Sequence, residues 1–415
     1  MNEVNVRRSE RHVIAFLAFV GILMAFGIDA ALPAFDELRA EFDLDARGIS
    51  AAITGTVYFA GMALGQLVCG VLADRFGRKP ILVGGLALYA VAAAASAAAP
   101  TLVLLLVSRF VWGLGASAPS VLRFAIARDL YAGDRMARVV SIFMAVFLIG
   151  PILVPFVGEA ILTVGSWRTV FACGVALSIV AIGWAVRFGE TMDLEHRRPI
   201  RLASFAEAFS AVARTPQTWW ALVGSTLFNA QFFVWLGSAE PAISGIFDRD
   251  GQFTLFFGLS GVGMAIALLA NNGLIAHFGI GPMLRIASVV HVAASVVGLG
   301  VVLAADGIPS IWAWFAWAIV VNAMTMVAAP MASALAMEPM GERAGTVSAI
   351  LGLSQLGVGA LLAAVVDSQV DTTVTPMLVG ALVFGVPGLA ALWRATRKSP
   401  AQRGSGDRMK SAQRS

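Results

Sequence analysis

The chain has 415 residues, of which 59% are hydrophobic and 13% charged, with a formal net charge of +4 and a mean hydropathy of +0.83. A water-soluble domain is about 45–50% apolar and about 25% charged, so this composition excludes a soluble enzyme and leaves an integral membrane protein. Its apolar runs match the roughly 20 residues a helix needs to cross about 30 Å of hydrocarbon, whereas the strands of a membrane barrel alternate and run about ten residues; an unbroken run such as Ile81–Ala99 excludes the barrel.

In chain order the runs predict twelve spans, at 12–33, 49–73, 80–99, 102–126, 138–162, 167–187, 217–239, 253–275, 282–304, 309–331, 343–367 and 374–394. The first, Val13–Pro33, reads as a retained span, because no small-residue cleavage site follows it. Cys69 and Cys173 both fall inside apolar runs and carry no metal-binding spacing. The longest break, Phe188–Pro216, is polar and basic, and within it Ala203–Arg214 has the look of a short surface helix. The predicted organisation is therefore an N-terminal six-helix half (1–187), a linker (188–216), a C-terminal six-helix half (217–396) and a basic tail (397–415).

Lys and Arg orient the spans, because cytoplasmic loops carry an excess of both. With the N-terminus inside, 23 of the 29 fall on the inner side, four outside (Arg39, Arg47, Arg168, Arg249) and two within spans (Arg109, Arg123). That bias predicts both termini in the cytoplasm, and it assigns the net positive charge to membrane topology rather than to nucleic acid. The halves also repeat. VLADRFGRKPIL (71–82) aligns without gaps on GLIAHFGIGPML (273–284), sharing Phe, Gly, Pro and Leu, and GDRMARVVS echoes GERAGTVS. Parallel repeats of six spans suit a two-lobed transporter with its substrate cavity between the lobes.

A charge in hydrocarbon is costly, so those that persist usually face a cavity and act. Asp29, four residues before Pro33, suits a site that alternates between a proton and a substrate; its plainer role is to cap a helix end near water. Arg109 is the natural counter-charge for a nearby carboxylate, or else a packing partner. Arg123 either lines the cavity or snorkels to the interface. Glu159 stands near the outer end of span five. Polar groups that default to interhelical hydrogen bonds include Asn229, Gln231 and Asn322, which with Phe233 and Arg123 are the candidate cavity residues. Two buried arginines against one clearly buried acid argue against a purely dicationic substrate. No paired intramembrane carboxylates exist in this reading, which excludes a membrane-embedded enzyme.

The turn between spans two and three, GVLADRFGRKPIL (Gly70–Leu82), packs Asp74, Arg75, Arg78 and Lys79 between two apolar runs. Gly77 supports the turn and Pro80 suits the first turn of span three. By itself this reads as a solvated loop that sets topology. It also resembles the loop 2–3 signature of the major facilitator superfamily. That resemblance implies a conformational latch in which Asp74 and Arg78 join an acid at the end of span four, Asp129 in ARDLYAGDR, with Gly70, Arg75 and Gly77 completing the motif. The second-half copy has Ala276 and Ile280 where the first has Asp74 and Arg78.

GIDAALPAF (27–35), SRFVWGLGASA (108–118), GPILVPFVGEAI (150–161) and SWRTVF (166–171) resemble the bicyclomycin/chloramphenicol-resistance type of drug:proton antiporter within that superfamily. The span-five motif would comprise Gly150, Pro151, Pro155 and Glu159; Pro155 and the VGE that follows replace its usual glycine spacing. The resemblance implies an all-α transmembrane, twelve-helix major facilitator fold with two six-helix halves around a central cavity. It implies a monomer in the bacterial inner membrane that exports small lipophilic, phenicol-like compounds in exchange for protons. Asp29 and Arg109 would couple the proton, with no cofactor beyond the proton gradient. A dedicated exporter of one metabolite, or a proton-coupled uptake symporter, is the alternative.

Overall fold

Regular structure in the described residues is helical throughout, as hydrocarbon requires, because a helix satisfies its own backbone polar groups. The computed structural model describes residues 9–192, 203–249 and 251–397; Arg7, Arg8, linker residues 193–202 and the tail from 398 lie outside them. The first half comprises α1 (Glu10–Asp29), α2 (Phe35–Phe42), α3 (Ile53–Phe76), α4 (Arg78–Ala97), α5 (Leu102–Leu130), α6 (Gly133–Leu162) and α7 (Trp167–Phe188). The expected surface helix is present as α8 (Ala203–Arg214). The second half comprises α9 (Pro216–Glu240), α10 (Phe253–Phe278), α11 (Ile280–Ala304), α12 (Ile311–Met337), α13 (Ala344–Gly352), α14 (Gly359–Asp367) and α15 (Thr375–Ala395).

Eleven helices among the described residues are long and apolar enough to cross a membrane, counting α13 and α14 as one. The 25-residue α9 completes twelve; it is less apolar because it carries Gln217, Asn229, Gln231 and Glu240. The end bearing the N-terminus is called inner below, and the opposite end outer. Several helices outrun their predicted spans at the inner end: α5 continues to Leu130, α6 starts at Gly133 and α12 reaches Met337. Hydropathy marks the hydrocarbon, whereas a helix ends where its backbone finds a cap or a break.

Small residues let the spans approach closely. A Cβ on Gly113 of α5 would meet the Tyr58 carbonyl of α3, and one on Gly61 would meet the Phe110 carbonyl in return. Gly77 (φ 104°, ψ 164°) ends α3 and opens α4, and Gly279 (φ 79°, ψ 164°) does the same between α10 and α11. The repeat read from the sequence is thus a repeat of backbone conformation. The halves meet where α3 packs on the α13–α14 span and α6 packs on α10. Between α13 and α14 the chain takes a π-helical turn, Leu353–Val358. From that turn Gln355 donates to the hydroxyls of Ser225 and Ser333, both at 3.0 Å.

Candidate functional site

Asp29 is the last residue of α1 and is 5% exposed. Among the described residues no hydrogen bond or ion pair reaches its carboxylate. Arg109 does not pair with it. That guanidinium, 1% exposed, donates from NH1 to the Gly27 carbonyl (2.8 Å) and from Nε to the Thr54 carbonyl (3.3 Å). It also lies 4.8 Å from the Tyr58 ring, 4.9 Å from Trp112 and 5.3 Å from Phe171. The reason is local. The last carbonyls of a helix lack intrahelical partners and carry its negative dipole end, and Gly27 falls in the last turn of α1. The expected Asp29–Arg109 pair is therefore replaced by a clamp in which Arg109 ties α1, α3 and α5 together two residues from Asp29.

Gly27 permits the clamp. A Cβ there would stand 2.8 Å from the Tyr58 hydroxyl and 3.0 Å from that of Tyr89. Tyr89 donates to the Leu23 carbonyl at 2.9 Å, whereas the Tyr58 hydroxyl is buried with no hydrogen-bond partner among the described residues. Span five closes the other flank of α1. Gly150 is buried against Ala25, where an added Cβ would lie 3.0 Å from the Ala25 Cβ, and one on Gly158 would meet the Ala30 carbonyl. Pro151 and Pro155 lie inside α6, and Glu159 is half-buried near its outer end.

Both halves contribute to a narrow outer cavity of about 20 Å³, whose walls include Ile28, Phe59, Arg109, Phe233 and Asp367. Phe233 is thus in the wall, its ring 4.4 Å from Phe59 across the two halves. The other candidates are not. Asn229 donates to the Ser225 carbonyl and Asn322 to the Ala318 carbonyl, each at 2.9 Å within its own helix, and Gln231 is buried. Asp367, 5% exposed, accepts from the Ser238 hydroxyl at 2.5 Å.

The outer end is closed by charge. Arg39 of α2 pairs with Asp36 beside it and with Glu240 of α9, whose side chain is 3% exposed. The same short helix grips α7: Glu37 accepts from the Trp167 backbone N–H (2.7 Å) and Glu41 from the Trp167 indole (2.6 Å). With Asp29, Glu240 and Asp367 all buried, the expectation of one clearly buried acid is corrected. The charge-balance argument against dicationic substrates loses its premise.

At the inner end Arg78, 4% exposed, donates from NH1 to Asp74 (2.6 Å) and from Nε to Asp129 (2.9 Å). Arg75 is exposed, and a Cβ added at Gly70 would meet Val121 of α5 only at ordinary van der Waals distance. Glu190, after α7, accepts from the backbone N–H groups of Arg78 (2.9 Å) and Lys79 (3.2 Å) at the start of α4. A carboxylate there meets the orphan donors and positive dipole end of the helix.

The Major Facilitator Superfamily profile matches residues 17–364. The chain belongs to that superfamily. Over 377 residues it is 28% identical to a bicyclomycin resistance protein homolog of Haemophilus influenzae, covering 90% of this chain and 94% of the relative. A 36% identical stretch of 176 residues, 41% of this chain and 44% of the relative, matches the multidrug resistance protein MdtL of Escherichia coli. The fold resembles the solved xylose transporter XylE of E. coli in a partially occluded inward-open conformation (TM-score 0.72, 14% identity, 93% and 98% covered). It also resembles the human organic anion transporter MFSD10 (TM-score 0.68, 17% identity, 94% and 100% covered). The chain is a transporter and not an enzyme.

The motifs did not reveal five polar groups that the packing brings into contact: Tyr58 and Tyr89 beside Gly27, Glu190 at the start of α4, Glu240 on Arg39 and Asp367 on Ser238. One faint signal existed for the first two. The chain has three tyrosines, and two of them stand in apolar runs, where a hydroxyl needs a reason.

Proposed function

We propose that this transporter exports small lipophilic compounds across the bacterial inner membrane in exchange for protons, by alternating access. The observation that carries the reading is Asp29: a buried carboxylate at the end of span one, without a counter-charge among the described residues, beside a cavity that both halves line. A group so placed binds a proton when the path is dry and gives it up when water or substrate reaches it. Arg109 holds the end of span one against spans two and four, so that a change at Asp29 moves helices rather than one side chain. The Arg39–Glu240 pair holds the outer end shut, and Asp74, Arg78 and Asp129 stiffen the inner end of the first half. The names of the relatives, bicyclomycin and multidrug resistance proteins, support a drug as cargo. The working unit is one chain in the lipid bilayer with both termini cytoplasmic, driven by the proton gradient without a cofactor.

The test uses inverted membrane vesicles, acid inside, with a fluorescent pH probe and a panel of phenicols, lipophilic cations and small metabolites. Proton efflux driven by a phenicol or cation, and lost in Asp29→Asn, is the expected result. Efflux that survives Asp29→Asn would move the proton site elsewhere. Efflux with a metabolite alone would replace drug export by a dedicated carrier.

A further inference from the structure

Arg123 sits 14 residues beyond Arg109 on α5, about 21 Å along the helix at 1.5 Å per residue. It is 6% exposed, and its Nε and NH1 have no hydrogen-bond partner among the described residues. Phenyl rings surround it, those of Phe147 and Phe124 at 4.4 and 4.9 Å and Phe143 at 6.0 Å. Aromatic faces attract a guanidinium but leave its N–H donors unpaired, and an unpaired buried donor is costly. The nearest latch acid on the same helix, Asp129, is already held by Arg78.

A cleft lies between two of the helices that flank this group. Between the inner ends of α1 and α6 lies a space of about 670 Å³, with Ile14, Ala18, Ile142 and Val146 as apolar wall and Arg11 and Arg138 at the rim. Glu10, the one acid among the described residues of its lining, is engaged by Arg135 at 3.0 Å, with Arg138 at 4.0 Å. The same two helices supply Gly21 and Phe147, which flank Arg123: a Cβ on Gly21 would stand 3.0 Å from Arg123 Nη1, and the Phe147 ring lies 4.4 Å from the guanidinium. The basic rim and apolar wall of the cleft thus lie on the same two helices that flank Arg123, a buried guanidinium whose Nε and Nη1 have no hydrogen-bond partner among the described residues. Its volume falls within the range of small-molecule sites, about 300–1,000 Å³.

We propose that Arg123 is the anion-binding subsite of this transporter, and that the cleft takes amphipathic monoanions: an aromatic body carrying one carboxylate or sulfonate. The body lies along Ile14, Ala18, Ile142 and Val146, and the acid group accepts from Nε and NH1 of Arg123, a charge-assisted contact stronger than a neutral one. The rim arginines draw such ligands from the inner side. This rests on the transport reading above and names a substrate class for it.

The test is equilibrium dialysis of 1-naphthoate and its neutral counterpart 1-naphthamide against the purified full chain in micelles, with protein-free micelles as blank. The expected result is saturable naphthoate binding that weakens at least tenfold in Arg123→Gln and less in Arg123→Lys, with naphthamide indifferent to both changes. Ala18→Leu fills the cleft while leaving the guanidinium in place, and it should abolish naphthoate binding as well. Absence of saturable naphthoate binding by the folded wild type would overturn the proposal. So would equal binding by wild type and Arg123→Gln or, if Arg123→Gln does not fold, unchanged binding by Ala18→Leu. No gradient enters this assay, so a failure of proton efflux in vesicles counts against antiport, whereas failed dialysis with efflux intact counts against the anion site alone.

Discussion

Replacing Gly27 by alanine tests whether the tyrosine cage around the end of span one is real. The added methyl would stand 2.8 Å from the Tyr58 hydroxyl and 3.0 Å from that of Tyr89, both inside ordinary van der Waals contact. Both rings are fully buried, so neither can swing into solvent. Overpacking of this kind costs about 1–3 kcal/mol. The two hydroxyls differ. Tyr58 has no hydrogen-bond partner among the described residues, so Tyr58→Phe alone should be neutral or stabilising. Tyr89→Phe gives up the 2.9 Å bond to the Leu23 carbonyl and should cost about 1 kcal/mol. Removing the Tyr58 oxygen also removes the closest clash with the new methyl. The Gly27→Ala/Tyr58→Phe double variant should therefore recover about 0.5–3 kcal/mol relative to the sum of the singles. Thermal unfolding in dodecyl maltoside, followed by circular dichroism, reads the wild type and all four variants. Strict additivity, or a Gly27→Ala protein as stable as wild type, would refute the cage.

Two further outcomes follow from the ends of the bundle. Glu240→Gln removes the charge that Arg39 holds across the halves; labelling of a cysteine placed at Thr56, in the wall of the outer cavity, by an impermeant maleimide should rise several-fold from the outer side. Asp129→Asn leaves Arg78, 4% exposed, with Asp74 as its remaining carboxylate partner among the described residues; stability should fall by about 1–3 kcal/mol, in line with the loss of a charged hydrogen bond to a buried group, and vesicle transport should fall with it. A transport rate unchanged at equal expression would reduce the Arg78 network to a structural turn.

Much of this molecule was legible in one dimension. Span number, the even count, the two repeated turns and the place of α8 all follow from hydropathy, from Lys/Arg placement and from glycine and proline. These are properties of a short segment and its solvent, and they need no partner. The charges at 74 and 78 stand out at a helix end in an apolar chain, whereas their link to Asp129 was implied by the resemblance to the loop 2–3 signature and not by any local property. Partner choice was not. The sequence places Asp29 in span one and Arg109 in span four, and only the packed structure shows the guanidinium on the Gly27 carbonyl of span one, not on the Asp29 carboxylate. Arg39 and Glu240 are 201 residues apart, Glu190 is 112 residues from Arg78 at the start of α4, and nothing local joins either pair. Asp367 ends an apolar run, and only the packing of α9 brings Ser238 against it. A span that is apolar on every side carries no stripe to say which face meets lipid and which meets protein, since both are equally apolar to it. Tertiary packing alone makes that choice, and with it decides which buried charges meet a partner and which, like Asp29, do not.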